Sequence, residues 1–128
     1  MTSLLLDSHV VIWLLDDNPR LGPSARAAID SAPAAMCSAA TLWELKIKQG
    51  AGKLRLPEGF TDAVLASGMR EVAVSSTHVE AIDPAALPHR DPFDHMLVAQ
   101  ARVEGLQLLT ADAAILSEGL PFVIDART

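Results

Sequence analysis

Tyrosine is absent, and the aromatic side chains amount to Trp13, Trp43, Phe60, Phe93 and Phe122. That is too little aromatic surface for the stacking platforms on which single-strand binding modules hold bases. Cysteine occurs once, at Cys37, so no disulfide can close within the chain and a cysteine-built metal site is excluded. Cys37 reads as a core residue. Long apolar runs are missing too: Val10 to Leu15 is the longest near the start, far below the ~20 residues of a membrane helix, and Asp7 and His9 precede it. With no basic segment and small-residue cleavage site at the start, no secretory signal is read, and a cytoplasmic protein without membrane contact is expected. Positive charge is scarce. Lys+Arg 10 against Asp+Glu 16 gives a formal net charge of -6, which argues against a general nucleic-acid coat. Yet every lysine, Lys46, Lys48 and Lys53, falls with Arg55 in the acid-free stretch Leu45 to Pro57. Such a cluster is either a solvated helix face and turn or a patch that meets phosphates.

What is present is apolar and regularly punctuated. A chain of 128 residues with 50% hydrophobic content is expected to form one domain, 1–128, burying about two-thirds of its unfolded surface. Ser3 to Leu6 reads as a short strand ending at Asp7, and Val10, Val11, Trp13 and Leu14 then repeat at helical spacing until Asp17, Asn18 and Pro19. Gly22 and Pro23 open a second helix through Ile29, Ala34 to Ser38 is a second strand, and Thr41 to Gln49 is helical with Ser38 as a plausible cap. A helix from Pro57 to near Gly68, a strand from Glu71 to Val74, and a small helix with capping-box spacing at Thr77 and Glu80 follow. Ala113 to Leu116 and Phe122 to Ile124 end the chain as helix and strand. Strands alternating with helices predict right-handed crossovers, hence a mostly parallel sheet of about five short strands covered on both faces.

The most informative stretch is His89 to Asp112. Asp91 before Pro92 is a helix-start signal, because the carboxylate can accept a free backbone N–H and proline at the first helical position gives up no hydrogen bond. The helix runs to Glu104 with Gly105 as its left-handed cap, and Leu106 to Leu109 is a buried strand. His95, Ala99 and Arg102 form the stripe expected to meet water.

Asp7 follows the first strand, Glu44 lies in the helix after the second, Asp94 stands in the first turn of the central helix, and Asp112 follows the fourth strand. All four therefore reach the carboxyl edge of the sheet, where open α/β folds bind ligands. Each has an ordinary structural explanation: Asp7 and Asp112 could cap helices, Asp94 could favour the positive helix start, and Glu44 could pair with Lys48 at i, i+4. Together they need a cation, since two like charges 4 Å apart repel by about 4 kcal/mol at an effective dielectric near 20. Oxygen-only ligands suit Mg²⁺ or Mn²⁺, and phosphodiester hydrolysis is the natural chemistry of such an ion.

The segments LLLDSHVVIWLL at 4 to 15, WELKIK at 43 to 48, DPFDHMLVAQA at 91 to 101 and LLTAD at 108 to 112 resemble the PIN domain family, and within it the VapC-type toxins of bacterial toxin-antitoxin pairs. The resemblance implies a three-layer α/β/α PIN-like fold and a metal-dependent endoribonuclease. Its acids map onto Asp7, Glu44, Asp94 and Asp112, with Asp7 and Asp94 as the direct Mg²⁺ ligands. Ser8 and Thr110 match the family's hydroxyl-bearing neighbours, Thr110 orienting the pocket or capping its strand, while Asp91 is favoured as a helix cap over a ligand. The chain departs from the pattern at His95 and Met96, where small residues are usual. The resemblance further implies an RNA substrate, a small antitoxin whose tail blocks the site, and a homodimer; Lys46, Lys48, Lys53 and Arg55 would hold the RNA. A carboxylate-bound metal leaves histidine no required part, so His9 is read as a packing or supporting residue, His95 as a surface residue, and Trp13 and Trp43 as core.

Two other classes compete. A receiver domain or aspartate-nucleophile phosphatase also clusters acids, but the receiver needs paired acids after the first strand and a late lysine, and the phosphatase needs an acid where His9 stands. Acyl-phosphate trapping with a small phosphodonor would detect either. A PIN-like module that binds RNA or protein without cutting has no reason to keep all four acids, and would survive Asp7→Asn and Asp94→Asn.

Overall fold

The fold is built around three leucines. In the computed structural model, which describes residues 2–128, the strand β1 (Leu4–Leu6) is completely buried and forms the centre of a five-stranded sheet. Side chains alternate across a strand, so Leu4 and Leu6 enter one apolar cluster and Leu5 the other. Each contributes about 2 kcal/mol by leaving water. The other strands are β2 (Ala35–Ser38), β3 (Arg70–Val72), β4 (Gln107–Thr110) and β5 (Val123–Asp125), in the order β3-β2-β1-β4-β5 with every pairing parallel. The sheet is thus wholly parallel where a mostly parallel one was expected.

Helices cover both faces. On one side α1 (Ser8–Leu15), α2 (Pro23–Ser31) and α4 (Phe60–Ala66) supply Val10, Val11, Trp13, Ala25 and Val64 to the first cluster. On the other, α6 (Pro92–Glu104) and α7 (Ala113–Leu116) supply Leu97, Val98, Ala101 and Ile115 to the second. Between the layers α3 (Ala39–Gly50) packs against both α1 and α6. Among the described residues no helix is long and apolar enough to cross a membrane.

The chain leaves β1 toward β2 and β3, then returns to place β4 on the other side of β1. This reversal opens a crevice between the carboxyl ends of β1 and β4. The helix that enters it, α6, begins and ends as expected: the Phe93 N–H donates to Asp91 Oδ1 at 2.9 Å, and Gly105 closes the helix at φ 65°.

Elsewhere the local signals misled. The helix expected from Pro57 begins only at Phe60, because Gly59 adopts φ 74° and a turn intervenes. The capping box is formed by Ser75 and His78, not Thr77 and Glu80: the His78 N–H donates to Ser75 Oγ and His78 Nδ1 accepts the Ser75 N–H, starting α5 (Ser76–Glu80) earlier. Histidine takes the part that glutamate usually plays. On α6, Ala99 is buried against the expected wet stripe, while Val103 is exposed; α5 meets this helix through Gln100 and Glu104, a different face from that of Ala99. Trp43, read as core, is 63% exposed and meets Phe93 in a T-shaped contact with ring centroids 5.2 Å apart.

Candidate metal centre

Asp7 is held from two sides. It ends β1 and caps α1, its Oδ1 accepting the Ser8 N–H at 2.7 Å, while Oδ2 accepts the Thr110 hydroxyl of β4 at 2.6 Å. Thr110 Oγ1 in turn accepts the Asp112 N–H at 3.0 Å, so one hydroxyl ties the ends of adjacent strands together. Asp112 caps α7 through Oδ1, which accepts the N–H groups of Ala114 and Ile115 at 2.8 and 3.2 Å. The one hydroxyl thus makes two contacts, a donation that holds Asp7 and an acceptance that caps the end of its own strand.

Glu44 approaches from α3. Its Oε2 pairs with Lys48 at 3.1 Å, as the i, i+4 spacing suggested, but Oε1 is buried with no hydrogen-bond partner among the described residues. Asp94, in the first turn of α6, is 5% exposed. Burial first, then the charges of Asp7, Asp91, Asp112 and Glu44, push its carboxyl up to about 8 from an ordinary 3.8. The structure thus draws together Asp7, Glu44, Asp94 and Asp112, with Asp91 at the margin and Ser8 and Thr110 as buried supports.

A cluster whose carboxylates mutually repel and whose one buried oxygen lacks a donor is chemically complete only with a positive charge. The oxygens are hard ligands, fitting Mg²⁺ or Mn²⁺. On this observation the residues present fit a divalent ion.

Sequence reasoning missed His89. Its Nε2 lies 3.4 Å from Asp94 Oδ2, and single ligand atoms of His89, Asp94 and Asp112 all lie within 4.8 Å of one another. A histidine two residues ahead of a helix cap carries no periodic signal, and only the turn into α6 brings it back over the first helical turn. Arg20 was also missed. It lines a cleft of about 260 Å³ with His9, Trp13, Ala111 and Asp112, placed there by the Asn18-Pro19 turn after α1. His9 is exposed at this cleft, not packed inside, whereas Trp13 is buried as expected. His95 is half-buried, not at the surface, with Nε2 2.7 Å from the His89 carbonyl oxygen.

The basic stretch is not one patch beside the acids. Lys48 is committed to Glu44. Lys53 and Arg55 follow the far end of α3, ~18 Å along a 12-residue helix that starts at the acidic edge, and Arg55 lines a groove with Leu15 and Asp16 at the far end of α1. Lys46 is exposed partway along α3.

Fold and crevice define a three-layer α/β protein with an acidic cluster at its topological switch point. The chain matches the PIN domain family model over residues 4–117, and it belongs to that family. Ribonuclease VapC22 of Mycobacterium tuberculosis (strain ATCC 25618 / H37Rv) is 32% identical over 126 residues, covering 94% of this chain and 95% of that protein. Among solved structures, the chain is similar in fold to VapBC2 from Rickettsia felis bound to a DNA fragment from its promoter, with TM-score 0.65, 15% identity, and 95% and 96% of the two chains covered. A toxin-antitoxin complex from Klebsiella pneumoniae gives TM-score 0.64 and 18% identity over 96% of this chain and 97% of that one. Five short parallel strands covered by helices are thus the PIN-like fold that the sequence resemblance implied.

Proposed function

We propose that the chain is a divalent-cation-dependent endoribonuclease that hydrolyses RNA phosphodiesters, the toxin of a VapBC-type pair. The observation that carries this reading is the crowding of four acids around the buried Asp94, with one oxygen of Glu44 buried and unpartnered. Asp7 and Asp94 would be the direct ligands of Mg²⁺, with Mn²⁺ as a substitute, and Glu44 and Asp112 would complete the set. Bound there, the ion would supply an activated water and balance charge on a phosphate oxygen. The chain's own residues do the positioning: Ser8 and Thr110 fix Asp7, Asp91 fixes the start of α6, and Lys48 balances the outer oxygen of Glu44. Arg20 beside Asp112 offers positive charge where a phosphate would enter, and exposed Lys46 extends it; Lys53 and Arg55 could hold only a distant part of a long RNA.

The relative named as a ribonuclease supports the activity. The neighbours solved as toxin-antitoxin complexes support a small antitoxin partner that blocks the site. A homodimer is part of the same proposal, checked by light scattering of the purified chain.

The test is cleavage of a mixed cellular RNA pool by antitoxin-free protein with Mg²⁺, with EDTA, and with Asp94→Asn beside the wild type. Cleavage that needs both metal and Asp94 is expected. Cleavage that persists in EDTA would remove the cation from the reading, and no cleavage in any lane by folded protein would turn it toward a non-cutting RNA- or protein-binding module.

A further inference from the structure

The turn from His89 to His95 contains more hydrogen bonding than a helix start requires. His89 Nδ1 is 3.2 Å from the Asp91 backbone nitrogen, whose N–H it accepts. A ring nitrogen that accepts an N–H carries no proton, so the neutral imidazole holds its proton on Nε2. That is the nitrogen facing Asp94 Oδ2 at 3.4 Å, where the ring N–H dipole attracts the carboxylate oxygen without forming an aligned hydrogen bond. His95 acts on the same turn: a carbonyl oxygen can only accept, so the 2.7 Å contact between His95 Nε2 and the His89 carbonyl is a donation by His95. The two rings meet edge to face, with centroids 6.1 Å apart. Asp91 completes the closure by accepting the Phe93 N–H at 2.9 Å.

By distance alone, a ring nitrogen of His89 could share an ion with Asp94 and Asp112, and the nitrogen that faces Asp94 is Nε2. Ligation would require Nε2 to give up its proton and Nδ1 to gain one, setting the new ring N–H directly against the Asp91 N–H. Carboxylate ligation disturbs nothing. We infer that His89 is a positioning residue and not a metal ligand: the Asp91 backbone holds it in the Nε2–H tautomer, His95 anchors its main chain, and its proton steadies Asp94 Oδ2 so that Oδ1 is left for the cation. This rests on the metal-centre reading above. It gives His89 and His95 a part that the acid cluster alone does not assign them.

The test uses the full antitoxin-free chain with Mg²⁺ as the probe. Long-range ¹H–¹⁵N spectra of ¹⁵N-histidine-labelled protein are expected to show the Nε2–H tautomer of His89 with and without Mg²⁺. By titration calorimetry His89→Ala and His95→Ala should each weaken Mg²⁺ binding about tenfold, while His89→Gln, whose amide keeps a donor, should stay within about threefold of wild type. The double variant should be no worse than the weaker single one, because both act through one contact. Loss of the Nε2 proton on adding Mg²⁺ would make His89 a ligand and overturn the inference. Wild-type affinity in His89→Ala would overturn it too, as would an Nδ1–H tautomer in the protein without Mg²⁺, whatever the metal then does. Failure of the wild type to bind Mg²⁺ at all would sink the metal-centre reading itself, a separate result.

Discussion

Asp94 should make the protein less stable as pH rises, and a divalent ion should reverse that trend. Its carboxyl titrates at about 8 in the fold against an ordinary 3.8, so between these values the folded chain keeps a proton that the unfolded chain has released. Stability from this group is therefore complete below 3.8 and is lost as pH climbs through 8. The slope has a ceiling of 1.36 kcal/mol per pH unit, so raising pH from 5 to 7 should remove up to about 2.7 kcal/mol. For a chain of this size that is about 10 °C in Tm.

Other groups titrate over the same range, and Asp94→Asn separates them. Thermal melts in EDTA across pH 5 to 8 should show the wild type losing stability relative to Asp94→Asn, with the two curves diverging as pH rises. Saturating Mg²⁺ should raise the wild-type Tm more at pH 7.5 than at pH 5.5, since the ion must displace the proton at lower pH. The variant should respond weakly at both. Parallel wild-type and variant curves in EDTA would refute the claim that repulsion and burial crowd this carboxyl. A Mg²⁺ effect of equal size in Asp94→Asn would show that the ion binds elsewhere.

Thr110→Val removes the hydroxyl that donates to Asp7 and accepts from Asp112. RNA cleavage should fall about tenfold to a hundredfold with the fold retained by circular dichroism, and Thr110→Ser should recover most of it. The Cys37 thiol is fully buried and burial pushes it up to about 12, so it should resist a thiol reagent at pH 8 and react only when denaturant unfolds the chain. Gly22→Ala should destabilise by about 1–3 kcal/mol in urea melts, because an added Cβ would lie 2.2 Å from the Thr128 backbone carbon, where the C-terminal turn docks on the start of α2.

The readings that succeeded drew on signals spanning several residues. Asp91-Pro92 and Gly105 gave α6 its bounds, and the leucines of β1 alternate between two cores as a covered parallel strand must. Asp7, Asp94 and Asp112 were legible because each lies just past a strand end or in a first helical turn, and Glu44 because it stands in the second turn of a helix that starts at that edge. What failed depended on single contacts across the fold. Whether Trp43 is buried depends on what packs over its face of α3, and nothing in its own segment says that this face stays largely open. The lysines were adjacent in sequence, but a helix running away from the edge separates them in space. His89 and Arg20 sit in turns, where no periodicity reports direction.

The structural and functional explanations of the acids turn out to be compatible, because a carboxylate has two oxygens. Asp112 caps α7 through Oδ1, and Glu44 pairs with Lys48 through Oε2 while Oε1 stays buried without a partner. Asp94 meets His89 through Oδ2. In each case one oxygen is engaged in fixing the side chain and the other is spared. Asp7 differs, accepting on both oxygens, but each short bond uses one lone pair and leaves another. A cap or ion pair at such a position is therefore part of how a ligand set is preorganised: it holds repelling carboxylates in place through backbone N–H groups and a hydroxyl that cost no freedom when a cation arrives. An acid that merely capped a helix would have no reason to be buried beside three others. Asp94 is the residue for which capping offers no explanation, since Asp91 already caps α6, and this is why the crowding around it carries the functional reading.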